Sequence, residues 1–176
     1  MSLPPLSFVT GGARSGKSAF AERLARLGPA THGYIATAEP WDEEMRDRIA
    51  RHRLDRGTGW HTVEAPLDLP AALSQTQGAV LIDCATLWLT NHLLADHDLD
   101  AETARLLDAL ARHAAPVIIV SNEVGWGIVP DNALARRFRD AQGRLNQRLA
   151  ARADLAVAVI AGLPLVLKGT LPGGMA

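Results

Sequence analysis

Eight residues near the start of this chain limit its fold more than any other stretch. Gly11-Gly12-Ala13-Arg14-Ser15-Gly16-Lys17-Ser18 fits the spacing G-x-x-x-x-G-K-[ST]. It lies between Leu6-Ser7-Phe8-Val9-Thr10, which reads as a strand, and a helix expected from about Lys17 to Leu27. The glycines let the backbone curl so that several N–H groups point at one phosphate. Lys17 is placed to reach the β- and γ-phosphates, and the Ser18 hydroxyl to ligate Mg²⁺. The start of the helix adds the positive end of its dipole. A strand, this loop and a helix in that order predict a nucleotide site built on a parallel sheet.

The rest of the chain repeats the alternation. Strands are expected at His32 to Thr37, Ala79 to Ile82, Pro116 to Ser121 and Leu155 to Ile160. Helices are expected over about 41–53, where Trp41, Met45, Ile49 and His52 share a face, and around Leu106, Leu107 and Leu110. A long helix capped by Asp131 or Asn132 should carry the stripe Leu134, Phe138, Ala141, Leu145 and Leu149. Continuous apolar strands separated by helices predict an α/β fold, a mostly parallel sheet of the P-loop NTPase type with helices on both faces. At 176 residues this is one domain, taken as 1–168, with 169–176 a loose tail.

Composition removes other classes. A hydrophobic fraction of 48% with 21% charged residues is ordinary for a globular protein. The formal net charge of -1 argues against a nucleic-acid binder whose affinity comes from a broad basic surface, and no nucleic-acid partner is expected. Cys84 is the only cysteine, so no disulfide framework forms. Met1-Ser2-Leu3-Pro4-Pro5 lacks the positive start of a secretion signal, and Leu155 to Leu167 is too short for a membrane span. A cytoplasmic location is expected. Of 18 basic residues only Lys17 and Lys168 are lysines. A lysine kept amid such arginine bias suits a role that needs a compact ammonium on a flexible stem.

Asp83 closes the run Ala79 to Ile82, where the second acidic residue of a P-loop enzyme would hold Mg²⁺, directly or through water. His52 has two readings. Its periodicity with Trp41, Met45 and Ile49 makes it a packed histidine. Its neighbours Arg51, Arg53 and Arg56 make it a phosphate-flanked, neutral nucleophile. Residue chemistry alone leaves both standing.

Several blocks together resemble one family. Thr10 to Ser18, then Tyr34-Ile35-Ala36-Thr37-Ala38, is similar to the opening of the bifunctional adenosylcobinamide kinase/adenosylcobinamide-phosphate guanylyltransferases. Asp42-Glu43-Glu44-Met45, Arg48-Ile49 and His52-Arg53 resemble its second block, and Trp60, Thr62 and Glu64 its W-x-T-x-E element. Ser121-Asn122-Glu123-Val124-Gly125-Trp126-Gly127-Ile128-Val129-Pro130 resembles its most distinctive string, continued by Arg136 to Asp140 and Gly143 to Gln147. Three departures stand out: Gly57 follows Arg56 where proline is common, Arg51 replaces one of a histidine pair, and Ser121 stands where threonine is usual.

The resemblance implies two reactions. A kinase phosphorylates the hydroxyl on the aminopropanol arm of adenosylcobinamide, with ATP or GTP. A transferase then moves GMP from GTP onto that phosphate through a GMP–histidine intermediate, giving adenosylcobinamide-GDP and pyrophosphate. His52 aligns with the histidine that carries GMP, and Lys17 is the second catalytic residue. Ala36, Thr37, Ala38, Arg53, Leu54, Asp55, Arg56, Glu64 and Asp83 join Gly11 to Ser18 in the nucleotide site, with Ser18 and Asp83 on Mg²⁺. A homo-oligomer, a trimer or a dimer of trimers, is also implied.

Two other readings remain at this stage. One is a different small-molecule P-loop kinase in which His52 is structural. The other is a GTP switch, although no N-K-x-D string is present and Asp83-Cys84-Ala85-Thr86 lacks the form D-x-x-G. His61, His92, His97 and His113 have no metal-ligand spacing.

Overall fold

A computed structural model describes residues 3–28, 31–40, 43, 46, 47, 50, 54 and 57–175. Its strands are β1 (Leu6–Gly11), β2 (His32–Ala36), β3 (Trp60–Glu64), β4 (Ala79–Asp83), β5 (Val117–Asn122), β6 (Leu155–Ile160) and β7 (Leu163–Lys168). Its helices are α1 (Lys17–Ala25), α2 (Leu69–Ser74), α3 (Ala85–Leu94), α4 (Leu99–Arg112) and α5 (Ala133–Arg152). Glu43, Arg46, Asp47, Ala50 and Leu54 are also helical and exposed. The helix expected over 41–53 otherwise falls outside the described residues, and His52, Arg53, Asp55 and Arg56 lie there too.

The strands form one sheet in the order β3-β2-β4-β5-β1-β6-β7. All neighbours run parallel except β6 and β7, an antiparallel hairpin. The β1 strand therefore sits inside the sheet, between β5 and β6, and is buried along its whole length.

Alternation along each strand sends side chains to two cores. Phe8, Ile82 and Ile119 face one, packed under α2 to α5 around Trp88, Leu106 and Leu145. Val9, Leu81 and Ile118 face the other, closed by Phe20, Ala21, Leu24 and Ala25 of α1. This is the two-sided α/β sheet expected. Residues 171–175 complete the second core: Met175 is only 5% exposed and Leu171 packs against the same cluster. Both belong to the segment expected to be loose.

Four elements escape the sequence pattern. β3 is an edge strand with only partial burial, and α2 has six residues. α3 buries residues around its circumference, so it has no single stripe. β7 carries most of its apolar side chains in the open.

Candidate active site

The phosphate loop is shaped by close packing as well as by glycine freedom. A Cβ on Gly11 would lie 2.5 Å from both the Ser15 hydroxyl and the Val159 carbonyl oxygen of β6. Gly16 caps α1 in the left-handed region, at φ 92°, where side chains are disfavoured. The β6–β7 turn braces the loop from outside, since the Gly162 N–H donates to the Ser15 carbonyl at 2.8 Å. Lys17 is buried, and its Nζ donates to the Gly12 carbonyl at 3.2 Å, folded back over the loop. Among the described residues no side chain caps α1, and no acidic residue stands in its first turn. Its N-terminal N–H groups and dipole are thus presented to an anion.

Register places three more of the expected residues in one row across the sheet. Glu64 of β3 pairs with Ala36 of β2, and Ala36 pairs with Asp83 of β4. Each step between strands is about 4.8 Å, so Glu64 stands roughly 19 Å from β1 and Asp83 roughly 10 Å from it. Gly11 to Ser18 are gathered in one loop. Asp83 is two strands away, and Glu64 is at the far edge.

Asp83 is held from two sides. The Tyr34 hydroxyl donates to its Oδ2 at 3.2 Å. Thr37, fully buried, accepts from the Cys84 N–H at 2.7 Å and donates to the Cys84 carbonyl at 2.8 Å. Asn91 of α3 then ties the Thr37 and Pro66 carbonyls together, both at 3.0 Å. In this arrangement the Thr37 side chain braces the Asp83–Cys84 segment. Burial, then the neighbouring Asp83 charge, pushes the Cys84 thiol up to about 11. It is an inert packed cysteine.

A second group of polar side chains, to which the sequence pattern gave no role, lies at the end of β5. Ser121 donates to Asn146 Oδ1 at 2.6 Å, and Gln142 donates to both, at 2.8 and 2.9 Å. Asn146 donates to the Asn122 carbonyl at 3.0 Å, and the Asn122 N–H donates to Thr86 at 2.7 Å. Gln142 and Asn146 are buried polar positions four apart beside the stripe Ala141, Leu145 and Leu149. That spacing was the available signal. The network fixes the exit of β5, where the Glu123 N–H donates to the Gly11 carbonyl at 3.0 Å.

From there, residues 123–132 run over the surface as a loop. Glu123 accepts from the Gly125 N–H at 2.6 Å, and Arg136 holds the far end through the Pro130 and Asp131 carbonyls, both at 2.8 Å. Between these anchors Trp126, Ile128 and Val129 are 81%, 96% and 64% exposed.

The profile of the family described as cobinamide kinase / cobinamide phosphate guanyltransferase matches residues 7–167. The chain is 48% identical over 166 residues to a Pseudomonas aeruginosa protein named bifunctional adenosylcobalamin biosynthesis protein CobP, covering 92% of this chain and 96% of that one. It is 41% identical to proteins named bifunctional adenosylcobalamin biosynthesis protein CobU from Salmonella typhimurium and Escherichia coli, covering 91% of this chain and 98% of each. Among solved structures, an ATPase from the type III secretion system of pathogenic bacteria superposes with a TM-score of 0.59 at 13% identity. That match covers 92% of this chain and 56% of the other. The RadB recombinase gives 0.50 at 19% identity, over 89% of this chain and 74% of the other. At such identities these two speak for the P-loop fold alone.

Proposed function

The chain belongs to the cobinamide kinase / cobinamide phosphate guanyltransferase family, and from that premise we infer how its residues divide the two reactions. The protein is a bifunctional transferase of cobalamin biosynthesis. The readings as an unrelated small-molecule kinase or a GTP switch give way to that membership. The observation that carries the nucleotide half is the loop from Gly11 to Ser18, with Lys17 folded over it and the bare N-terminus of α1 beneath.

In the kinase step the hydroxyl oxygen of the acceptor's aminopropanol arm attacks the γ-phosphorus of ATP or GTP, and its proton is released to solvent. The bond to the β,γ-bridging oxygen breaks, and the nucleoside diphosphate leaves. Lys17 and the loop N–H groups hold the charge that gathers on the phosphate oxygens. In the transfer step a neutral imidazole of His52 attacks the α-phosphorus of GTP and pyrophosphate departs. An oxygen of the cobinamide phosphate then attacks the same phosphorus, releasing the histidine and giving adenosylcobinamide-GDP. Arg53 to Arg56, Ala36 to Ala38 and Glu64 complete the nucleotide site in this reading.

Ser18 and Asp83 would hold Mg²⁺. Both offer hard oxygen donors, and the Asp83 carboxylate is oriented by Tyr34. Among the described residues no group of three or more His, Cys, Asp or Glu forms a protein cage. That suits a nucleotide-borne ion, which takes its other ligands from phosphate and water. When bound, the ion neutralises charge on the phosphate oxygens.

The assembly proposed is a homo-oligomer, a trimer or a dimer of trimers. Leu163, Leu165 and Leu167 of the edge strand β7 are 71%, 54% and 57% exposed, an apolar surface at the sheet edge that favours a second copy. No helix among the described residues is long and apolar enough to cross a membrane, and a cytoplasmic setting accords with a sequence whose single cysteine, Cys84, leaves no pair for an internal disulfide.

The decisive experiment incubates the protein with GTP labelled at the α-phosphate and Mg²⁺, with His52→Ala alongside. Acid-labile, base-stable label on the wild type and none on the variant is expected of a phosphoramidate. Equal label on both would remove His52 from the mechanism. No label on a wild type that still binds GTP would remove the covalent step.

A further inference from the structure

We propose that the loop from Glu123 to Asn132 is the docking surface for the corrin ring of the acceptor, with Trp126, Ile128 and Val129 as its contact face. The proposal rests on the family's acceptor being cobinamide and locates where that molecule lies.

The acceptor sets the requirement. Cobinamide is a broad, flat cobalt macrocycle with apolar faces, an amide-bearing rim and net positive charge. Its reacting hydroxyl sits on a short flexible arm. The ring must therefore rest on an apolar surface within an arm's length of the phosphate loop, and a basic surface would repel it.

The loop offers an apolar, non-basic surface rooted at the phosphate loop. Its first residue is hydrogen-bonded to Gly11, the first residue of the phosphate loop, through the Glu123 N–H at 3.0 Å. Three large apolar side chains follow within four positions and stand mostly in solvent, Ile128 almost wholly so. Isolated exposed apolar residues are ordinary, but three within four positions, on a loop rooted at the phosphate loop, favour a binding surface. Tryptophan supplies a rigid plate at small entropic cost on binding. The loop itself carries two carboxylates, Glu123 and Asp131, and no basic side chain from 123 to 132. The next cation along the chain, Arg136, is engaged with the Pro130 and Asp131 carbonyls.

The loop is also held in advance of any ligand. The Ser121–Gln142–Asn146 network fixes its root, the Glu123 carboxylate closes a turn onto the Gly125 N–H, and Arg136 secures its far end. Anchoring at both ends lowers the ordering cost of binding. The competing apolar surface, on β7, differs in kind: its leucines line an unpaired strand edge, where the backbone offers a ladder to another strand and a macrocycle has no use for one.

The test compares Trp126→Ala and Ile128→Ser with the wild type in steady-state phosphorylation of adenosylcobinamide, with GTP affinity and oligomeric state measured in parallel. Both residues are exposed, so neither substitution is expected to disturb the core. The expected result is a KM for adenosylcobinamide raised about tenfold in Trp126→Ala, the effect of losing one large apolar contact. Ile128→Ser should show a smaller rise. Trp126→Phe should restore most of the loss, while GTP affinity and oligomeric state stay unchanged. A KM within twofold of wild type in both variants would overturn the proposal and leave the family reading intact. A change of oligomeric state in both would overturn it by making the loop a contact between copies. A wild type that never uses adenosylcobinamide would overturn both the family reading and the proposal.

Discussion

A methyl group at Gly11 would meet the Val159 carbonyl and the Ser15 hydroxyl at 2.5 Å. Gly11→Ala is therefore expected to force β6 away from the loop, costing about 2 kcal/mol or more in urea denaturation and weakening GTP binding with it. Thr37 makes a different prediction. Its hydroxyl both accepts from and donates to Cys84 while fully buried, so Thr37→Val should cost about 1–3 kcal/mol. It should also lower turnover more than GTP affinity, because the Asp83 carboxylate loses its brace. The motif marks Gly11 as a phosphate-loop residue without revealing its contact with β6, because Val159 lies 148 positions further along the chain. Thr37 entered the site by family resemblance; only the fold shows that its hydroxyl faces protein.

At the scale of elements, the Ser121–Gln142–Asn146 cluster joins α5 to the end of β5. Asn146→Leu would strip partners from Ser121, Gln142 and the Asn122 carbonyl at once. It should cost about 2–3 kcal/mol and raise the acceptor's KM through a loosened loop root, which a thermal melt and acceptor kinetics would both report. The strands with continuous apolar runs, β1, β4, β5 and β6, were legible because a sheet covered on both faces demands such runs. α5 was legible from its stripe and from the Asn132 cap, whose side chain accepts from the Ala135 N–H at 2.8 Å. β3 was hidden because an edge strand needs little apolar content, and α3 because burial on many sides erases periodicity. β7 was merged with β6 into one apolar stretch. The left-handed Ala161-Gly162 pair that turns the chain between them was its signal. The expected catalytic histidine and its arginines lie outside the described residues, so the family blocks remain their support.

The molecule as a whole should be sensitive to mild acid. His32, His92 and His113 are each held below the ordinary imidazole range, chiefly by burial. As pH falls through about 6.5 the unfolded chain takes up protons on these rings before the folded chain does. Stability therefore rises with pH across that window and is lost progressively as pH falls below about 7. The melting temperature should drop over that interval. His113→Leu should reduce the drop, since its Nε2 has no hydrogen-bond partner among the described residues. The β6–β7 turn carries one more consequence. Gly162 grips the phosphate loop through Ser15 at one end of the hairpin, and the strand proposed to join copies begins at the next residue. If β7 is where the copies meet, occupancy of the loop and self-association are thermodynamically linked, and the linkage is reciprocal. GTP affinity would then depend on how concentrated the protein is, and diluted enzyme would lose grip on its nucleotide before it lost its fold.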